Sequence, residues 1–362
     1  MTGAGELRVG VLGGGAVLTR WQRLTLQHLL AEPQVRLCGR VDDARGAGTD
    51  GAGGAGPGGV RGRVRRLAGA LTRPDGWWEL YADGWVGRRS RAAARVDARD
   101  LWDGVPVHAT VPERRGRFSE HFDAETLEVL RSWRPDLLLR FGFGIIRGEI
   151  LDVAPLGVWS FHHDDELVYR GSPPCFWEVA RGDPLAAATL QRLTDRLDGG
   201  IVLAKAWFAT VGGSYVATRD RVYLGSVDLP ALVVRALRAG YRMPEAPSST
   251  NAPVLRAPGR AALVRAGWRA LRARRHDRRS PTDRRVELRL VPAAGSRPGS
   301  REPRGESPGE SPSRPGESPS RPGESPATPG ESPPTPGESL GESPATPGES
   351  SAESPARWRE PA

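Results

Sequence analysis

Residues 7–43 decide the fold class: LRVGVLGGGAVLTRWQRLTLQHLLAEPQVRLCGRVDD. The apolar run at residues 7–12 is typical of a strand buried on both faces of a parallel sheet. Apolar side chains between Trp21 and Leu30 recur at the spacing of a helix that faces a core, and VRLCGRVDD then supplies a second strand. A strand, a helix and a strand in succession predict an α/β fold with a Rossmann-like, mostly parallel sheet and flanking helices.

The same alternation continues towards the C-terminus. Apolar runs predict further strands at residues 105–111, 136–141, 157–163, 186–193 and 200–210. Helical spacing predicts a helix over residues 119–135, opened by Ser119, and a last one over residues 228–242. After residue 243 the apolar pattern weakens, so we expect the folded domain to end there.

Composition divides the chain into three parts. Residues 1–243 are expected to form one folded domain, interrupted by a flexible glycine-rich loop at residues 44–62. Residues 244–296 read as a linker with a basic segment of helical spacing. Residues 297–362 repeat Pro, Gly, Glu and Ser, and proline every few residues excludes a coiled coil, so this part is predicted to be a disordered tail.

Charge and cysteine content restrict the class of protein. A net charge of +9 and a pI of about 10.5 keep open nucleic-acid binding through the arginine-rich segment after residue 250. Two cysteines are too few for a disulfide framework and indicate a reducing compartment. The chain shows neither a secretory signal nor an apolar run of about 20 residues, so we expect a cytoplasmic protein without a membrane partner. Nothing in the sequence indicates an oligomeric state.

The glycines of VGVLGGG raise a nucleotide-binding alternative. Gly13 and Gly15 follow the first strand as in the dinucleotide fingerprint, and Asp42 or Asp43 ends the second strand, where a ribose-binding acid would lie. Leu18 stands where the fingerprint requires its third glycine. An NAD(P)-dependent oxidoreductase is therefore one alternative, and a tight turn between a strand and a helix is the other.

His162 and His163 end the strand predicted at residues 157–163, and three acids follow them. Adjacent residues of an extended strand point to opposite faces, so the two histidines do not easily share one metal ion, and no zinc-site spacing supports one. We therefore expect no metal. Asp198, in LTDRLDGG, lies on a turn between two predicted strands. A histidine and an acid that meet at the carboxyl edge of a parallel sheet predict a general base and its orienting partner.

Several motifs, in this order, resemble the folate-dependent formyltransferases, which include methionyl-tRNA formyltransferase, glycinamide ribonucleotide formyltransferase and the amino-sugar N-formyltransferases. That family shows an Asn-x-His strand end, an Arg-Gly turn and a Leu-Asp-x-Gly loop. The chain carries SFHH with His162, YRGSPP with Arg170 and Gly171, and RLDGG with Asp198. The resemblance covers residues 7–210 and is strongest over residues 135–208.

The resemblance implies a formyltransferase-type catalytic domain at residues 1–243 and an enzyme that moves a formyl group from 10-formyltetrahydrofolate to an amine. His162 would act as the base and Asp198 as its supporting acid, with Ser160 as the third catalytic position. The amine would contact three further residues: Arg170, Gly171 and His163. The folate would bind against Phe141, Gly142, Phe143, Gly144, Ile145, Ile146 and Asp195.

One position departs from the family pattern. Ser160 stands where the family has Asn, and by resemblance that Asn donates a hydrogen bond to the formyl oxygen as it becomes an oxyanion. A serine hydroxyl reaches less far than an amide, although backbone N–H groups, water or His163 could compensate. The main alternative is therefore a catalytically altered or inactive binding module with the formyltransferase fold.

The acceptor is expected to be a small amine, such as an amino sugar. The tRNA enzyme of the family carries a C-terminal β-barrel domain for its nucleic acid. No run of alternating strands follows residue 243 in this chain, so tRNA is expected not to be the acceptor.

Overall fold

The computed structural model describes residues 5–46, 76–82, 86–116, 118–196, 199–247, 252–273 and 284–292. The predicted tail and most of the predicted glycine-rich loop lie outside these ranges. In chain order the strands are β1 (Leu7–Leu12), β2 (Val17–Thr19), β3 (Val35–Asp43), β4 (Arg95–Asp97), β5 (Val107–Thr110), β6 (Glu113–Arg115), β7 (Ser119–His121), β8 (Leu137–Arg140), β9 (Ile145–Ile146), β10 (Val158–His162), β11 (Arg170–Gly171), β12 (Leu185–Arg192), β13 (Ile201–Ala209), β14 (Tyr241–Arg242), β15 (Val254–Leu255), β16 (Arg284–Leu288) and β17 (Val291–Pro292).

The helices are α1 (Arg20–Leu30), α2 (Gly76–Tyr81), α3 (Gly87–Arg89), α4 (Ala124–Ser132), α5 (Phe176–Arg181), α6 (Tyr215–Gly225), α7 (Leu229–Arg238) and α8 (Arg260–Ala273). None of these described helices combines the length and the apolar character that a membrane crossing requires.

The main sheet contains eight strands among the described residues, in the order β16-β13-β12-β10-β8-β1-β3-β5. Strands β10, β8, β1, β3 and β5 are mutually parallel, whereas β12, β13 and β16 extend the sheet in antiparallel pairs. Helices α1, α6 and α7 cover one face of the sheet, and α4 covers the other. The predicted α/β class, a mostly parallel sheet with flanking helices, is confirmed.

The two faces of the sheet bury different cores. The first core includes Trp159, and the second core includes its neighbour Val158. Side chains alternate along a strand, so residues two positions apart share a face. Ser160 and His162 therefore project on the face of the second core, whereas Phe161 packs against the first core. This alternation decides which side chains of β10 can form one site.

Two element boundaries differ from the prediction, and each has a local cause. The helix predicted over residues 119–135 begins at Ala124, because the carboxylate of Asp123 caps it by accepting a 2.7 Å hydrogen bond from the backbone of Thr126. Ser119, predicted to open that helix, lies in β7. After the first glycine turn the chain forms β2, which pairs with β4, before α1 begins at Arg20.

The segment predicted as a linker and basic segment, residues 244–296, pairs with the rest of the fold. Strand β15 pairs with β11, and β16 pairs with β13 as the last strand of the main sheet. An ion pair of 2.6 Å between Arg284 and Asp228 joins β16 to the start of α7. Strand β16 of this segment therefore belongs to the main sheet, whereas β15 and β17 form separate two-stranded sheets with β11 and β14.

Candidate active site

Two rows of polar side chains cross the sheet at the carboxyl end of β10. The first row is formed by the cross-strand neighbours Arg140, Ser160 and Gln191. The second row is formed by His162, Thr189, Lys205 and Glu287. Cross-strand neighbours share a face of a sheet, so both rows project on the face of the second core.

Arg140 is the cationic member of the first row. Its Nη1 donates a 3.0 Å hydrogen bond to the Oγ of Ser160, a side chain that is only 2% exposed. Its Nη2 donates to the carbonyl oxygens of Phe143, at 2.8 Å, and of Gly144. Burial lowers the pKa of this guanidinium from its ordinary value, but an arginine keeps its charge at neutral pH. A fixed positive charge therefore lies beside the serine that replaces the family's Asn.

The residues predicted to bind folate form one loop after β8, next to the first row. The backbone N–H groups of Phe141 and Gly142 donate to the carbonyl oxygen of Leu12 at 2.8 and 3.1 Å. The N–H of Gly144 donates to Glu120 at 2.6 Å, and Glu120 in turn pairs with Arg45 at 2.5 Å. The loop is thus held from β1 on one side and from β7 on the other.

The ends of this loop are fixed as well. Ile145 and Ile146 form β9, which pairs with β7, and the Phe143 ring meets the Phe122 ring edge-on at 5.0 Å. The carboxylate of Asp195, also predicted to bind folate, accepts a 3.1 Å hydrogen bond from the N–H of Gly148. The predicted folate-binding residues therefore lie in one connected region beside Ser160.

The glycines and acids behind the dinucleotide alternative have structural partners. Gly13 has a positive φ of 78°, and a Cβ there would lie 2.3 Å from the Cα of Gly142, so the close approach of two loops requires glycine. Asp42 pairs with Arg40 at 2.9 Å, and Asp43 pairs with a neighbouring arginine. These contacts account for the residues of the fingerprint without a bound nucleotide.

His162 lies at the carboxyl end of β10 and is half-buried. Its Nε2 lies 3.2 Å from the carbonyl oxygen of Tyr169. A carbonyl oxygen only accepts hydrogen bonds, so this contact requires the proton on Nε2 and leaves Nδ1 as the nitrogen that can accept a proton. The imidazole is thus oriented with a basic atom available.

Asp198, the predicted partner of His162, lies outside the described residues. The two glycines after it are described. The carbonyl of Gly199 accepts a 2.9 Å hydrogen bond from the hydroxyl of Thr194, and a Cβ on Gly200 would lie 2.4 Å from the side-chain oxygen of Gln191. This end of the Leu-Asp-x-Gly loop therefore packs on the first row.

His163 lies on the opposite face from His162, as expected for adjacent residues at a strand end. Its ring stacks on Tyr223 with 3.5 Å between ring centroids and meets the edge of Trp21 at 5.0 Å. Complete burial, reinforced by the charge of Arg219, holds the pKa of His163 well below its ordinary value. The structure thus makes His163 a neutral member of an aromatic cluster and does not bring it together with Ser160.

Arg170 and Gly171 contact a later part of the chain. Arg170 donates a 3.1 Å hydrogen bond to the carbonyl oxygen of Ala252. Arg170 and Gly171 form β11, which pairs with β15. Gly171 has a φ of 98°, and a Cβ there would lie 2.1 Å from the carbonyl oxygen of Leu255, so this pairing requires glycine. The Arg-Gly turn therefore holds residues 252–255 beside the loop that follows His162.

Lys205, the only lysine of the chain, belongs to a buried ion pair that the motifs of the sequence do not indicate. Its side chain is 1% exposed and contacts Asp165 at 2.5 Å and Glu166 at 2.9 Å. The hydroxyl of Thr189 also donates to Glu166, at 2.9 Å. A lone lysine inside an apolar strand is a signal that could have indicated a buried ion pair, because a buried ammonium requires carboxylates.

The first acid after the histidines has a different environment. Asp164 accepts a 2.6 Å hydrogen bond from the N–H of Cys175, and its carboxyl lies near that of Glu178. Burial and this neighbouring carboxyl raise the pKa of Asp164 well above its ordinary value. Within the HHDDE run, Asp165 and Glu166 thus share Lys205, whereas Asp164 contacts Cys175 and Glu178. Within the described ranges, no group of three or more His, Cys, Asp or Glu side chains is arranged to hold a metal ion.

The comparison of sequences identifies relatives over a part of the chain. A methionyl-tRNA formyltransferase of Borrelia duttonii is 32% identical over 117 residues, which are 32% of this chain and 37% of the relative. The match thus spans just over a third of that relative. No family model matches the chain. The predicted resemblance to the folate-dependent formyltransferases is confirmed over this stretch.

Two solved structures align with a larger share of the chain. Glycinamide ribonucleotide transformylase 1 from Symbiobacterium toebii aligns with a TM-score of 0.42 and 17% identity, covering 68% of this chain and 95% of that one. A formyltetrahydrofolate deformylase from Pseudomonas syringae pv. tomato aligns with a TM-score of 0.42 and 13% identity, covering 68% of this chain and 66% of that one.

Proposed function

We propose that this chain transfers a formyl group from 10-formyltetrahydrofolate to an amine. The observation that carries the proposal is the first row: Ser160, with Arg140 bonded to it, shares a face of β10 with His162. The loop predicted to bind folate adjoins this row. The relatives named methionyl-tRNA formyltransferase support the same chemistry.

In the proposed reaction the amine nitrogen attacks the formyl carbon. A carbon–nitrogen bond forms, the formyl oxygen becomes an oxyanion, and the bond from carbon to N10 of the folate then breaks. The amine proton moves to Nδ1 of His162, and N10 leaves with a proton. Asp198 supports the imidazolium and relays that proton, as the family resemblance implies. The scheme requires no covalent enzyme intermediate.

In this proposal Arg140 compensates for the Ser160 that stands where the family pattern has Asn. An oxyanion requires fixed donors, and removing one such donor typically lowers a rate by about 10²–10³. The Ser160 hydroxyl accepts from Arg140, and its own hydrogen makes only a long contact of 3.4 Å with the carbonyl oxygen of Phe161, which it would exchange for the formyl oxygen. The adjacent guanidinium adds a full positive charge, which favours an oxyanion more than a neutral amide does. Compensation by His163 is not part of this scheme, because its side chain lies on the other face.

The remaining predicted residues have supporting roles in the proposal. Residues 141–146 and Asp195 form the wall for the folate. Arg170 and Gly171 fix residues 252–255 on the acceptor side, and His163 packs the opposite face of β10. The expectation that tRNA is not the acceptor finds no support in the names of the relatives. Methionyl-tRNA is therefore an acceptor to test beside small amines.

The experiment measures tetrahydrofolate release from 10-formyltetrahydrofolate in the presence of methionyl-tRNA or of small primary amines. We expect acceptor-dependent release with at least one acceptor class. His162→Gln should lower the rate by about 10²-fold or more, because the base is lost. The matched control is His163→Phe, which keeps an aromatic ring against Tyr223 and should leave the rate unchanged. Equal rates for His162→Gln and the unsubstituted chain would contradict the proposed base.

A non-catalytic alternative rests on Ser160. A binding module with this fold would bind the folate and show no release with any acceptor. In that case His162→Gln would not change the release of tetrahydrofolate, and a folate analogue would still bind.

A further inference from the structure

Helix α8 turns one face towards the folded domain and the opposite face towards solvent. On the inner face, Ala262, Leu263 and Ala266 pack against the first core. A Cβ on Gly213, in the turn before α6, would lie 2.7 Å from the Cα of Ala270, so the helix lies close against that turn. The inner face therefore fixes α8 to the domain.

The outer face of α8 carries three large apolar side chains that are exposed. Val264, Trp268 and Leu271 follow one another at positions i, i+4 and i+7, so they lie on one face of the helix. Their exposed fractions are 61%, 61% and 62%. Single exposed apolar side chains are ordinary, but a continuous group of them is typical of a surface that binds a partner. We call these three residues the α8 strip.

A second exposed tryptophan lies at the start of α8. Trp77 in α2 is 37% exposed, and the guanidinium of Arg260 lies over its ring at 4.9 Å. The next residue, Trp78, packs edge-on against Phe176 with 5.3 Å between ring centroids, which anchors α2 to the first core. Trp77 thus continues the apolar surface one helical turn beyond Val264.

Positive charge borders the α8 strip. The helix contains no acid and four arginines: Arg260, Arg265, Arg269 and Arg272. The guanidinium of Arg272 lies over Trp268 at 5.4 Å from the ring centroid. Arg265 and Arg269 are exposed on one flank of the helix. An apolar centre with an arginine border is typical of helices that lie in the plane of a membrane interface.

We propose that the α8 strip binds the surface of an anionic lipid membrane, with α8 parallel to the bilayer plane. Val264, Trp268 and Leu271 would enter the boundary between headgroups and acyl chains, and the arginines would contact anionic headgroups. The sequence analysis expected no membrane partner because no apolar run is long enough to span a bilayer. A helix that lies on a membrane surface requires no such run.

Two other occupants fit the α8 strip less well. Proteins that bind single-stranded nucleic acid stack bases on aromatic rings in a charged groove, whereas Val264 and Leu271 present aliphatic groups on a convex helix. A second copy of the chain would bring an equally arginine-rich helix against the first, and like charges would repel. An anionic lipid surface matches both the apolar centre and the positive border.

The test is sedimentation of the full chain with phosphatidylcholine vesicles that contain either no anionic lipid or about 30 mol % phosphatidylserine. We expect the chain to bind the anionic vesicles about tenfold or more tightly than the neutral ones, and less tightly as salt is added. The triple variant Val264→Ser, Trp268→Ser, Leu271→Ser keeps every charge and should weaken this binding by about tenfold or more, because apolar area is lost. Arg265→Gln should weaken it by about fivefold.

Two matched controls change similar residues elsewhere on the surface. Val107→Ser combined with Val111→Ser removes two apolar side chains that are 50% and 57% exposed, and should leave vesicle binding unchanged. Arg131→Gln removes an arginine from an exposed ion pair with Glu149 and should also leave it unchanged. Thermal unfolding of each variant establishes that it is folded.

Several results would overturn the inference. Full vesicle binding by the triple variant would show that charge alone attracts the chain, and equal binding to both kinds of vesicle would exclude the arginine contacts. Binding of tRNA in place of vesicles, weakened by the triple variant, would assign the α8 strip to nucleic acid. Dimerisation that the same variant abolishes would assign it to a second copy. No folate or amine enters this experiment, so its outcome is independent of the proposed formyl transfer.

Discussion

Arg140 and Ser160 are the residues on which the proposed chemistry depends most. Arg140 ends an otherwise apolar strand, LLLR, and its guanidinium reaches Ser160 and two carbonyl oxygens of the following loop. A buried arginine is unfavourable unless its donors are used. Both Nη atoms of Arg140 donate hydrogen bonds at the site, and its buried Nε has no partner among the described residues. In the proposed reaction the guanidinium and the hydroxyl together take the role of the single amide of the family pattern.

Substitution of Arg140 tests this pairing. Arg140→Leu should lower the rate of formyl transfer by about 10²-fold, because the oxyanion loses the adjacent positive charge and Ser160 loses the donor that positions it. A merely structural role of Arg140 would not be rescued by a new donor. The double variant Arg140→Leu, Ser160→Asn restores the amide of the family pattern and should regain at least tenfold of the lost rate. A rate for Arg140→Leu equal to that of the unsubstituted chain would contradict the role in catalysis.

The carboxyl of Glu178 gives a pH dependence of stability with a defined sign. Its pKa of about 7 in the folded chain lies above its ordinary value of 4.5, so the folded state binds more protons than the unfolded state between these values. The free energy of unfolding therefore falls as pH rises from about 4.5 to 7, and Glu178 shares this fall with the neighbouring buried carboxyl of Asp164. Glu178→Gln should flatten that fall in urea titrations at several pH values. The same slope in both proteins would show that Glu178 titrates normally.

The site could be predicted in part at this scale. His162 and Ser160 follow from the motif, and alternation along the strand correctly separates His163 from His162. Arg140, Lys205 and Glu178 were missed because their roles depend on residues distant in the chain. Lys205 meets Asp165 only after two hairpin strands have paired, and no local pattern specifies that register.

At the scale of elements, Lys205 fastens the loop of residues 163–169 to β13. Lys205→Ala would leave two largely buried carboxylates without a cation, which typically costs about 3–5 kcal/mol of stability. Arg131→Ala breaks an exposed ion pair with Glu149 and should change stability by about 1 kcal/mol or less. Urea unfolding at constant pH measures both values.

A triple variant makes that measurement specific. Lys205→Met combined with Asp165→Asn and Glu166→Gln removes all the charges and should regain most of the loss. If Lys205→Ala is as stable as Arg131→Ala, the buried ion pair does not hold the loop.

Most elements were predictable because their periodicity is strong, and the failures have local causes. The strands of residues 7–12 and 201–209 and the helix at 229–238 appear where the apolar pattern predicted them. The start of α4 was misplaced because Asp123 outcompetes Ser119 as the cap. Strand β2 was missed because its three residues pair with β4 across a long intervening segment, which no local periodicity reveals.

At the scale of the whole molecule, one strand of residues 244–296, β16, is the last strand of the main sheet. Strand β16 was hidden from sequence analysis because arginines and a glutamate mask its alternation, RRVEL. Its pairing with β13 makes β16 an edge strand of the main sheet, and charged side chains on an edge strand oppose non-native pairing.

Truncation tests this view of the C-terminal segment. A chain ending at residue 243, the predicted domain boundary, should melt about 5 °C or more below the full chain, because it lacks β15, α8 and β16. A chain ending at residue 296 should have the same melting temperature as the full chain. Identical melting temperatures for both truncations would show that residues 244–296 add nothing to the folded domain.

The measurement that tests the central claim most directly is calorimetric titration of the full chain with a stable 10-formyltetrahydrofolate analogue. We expect saturable binding near the micromolar range, about −8 kcal/mol, and weaker binding by Arg140→Leu, whose guanidinium fixes the loop at Phe143 and Gly144. Absence of binding at about millimolar analogue, in a chain shown to be folded by its thermal unfolding, would contradict the folate site and with it the proposed formyl transfer.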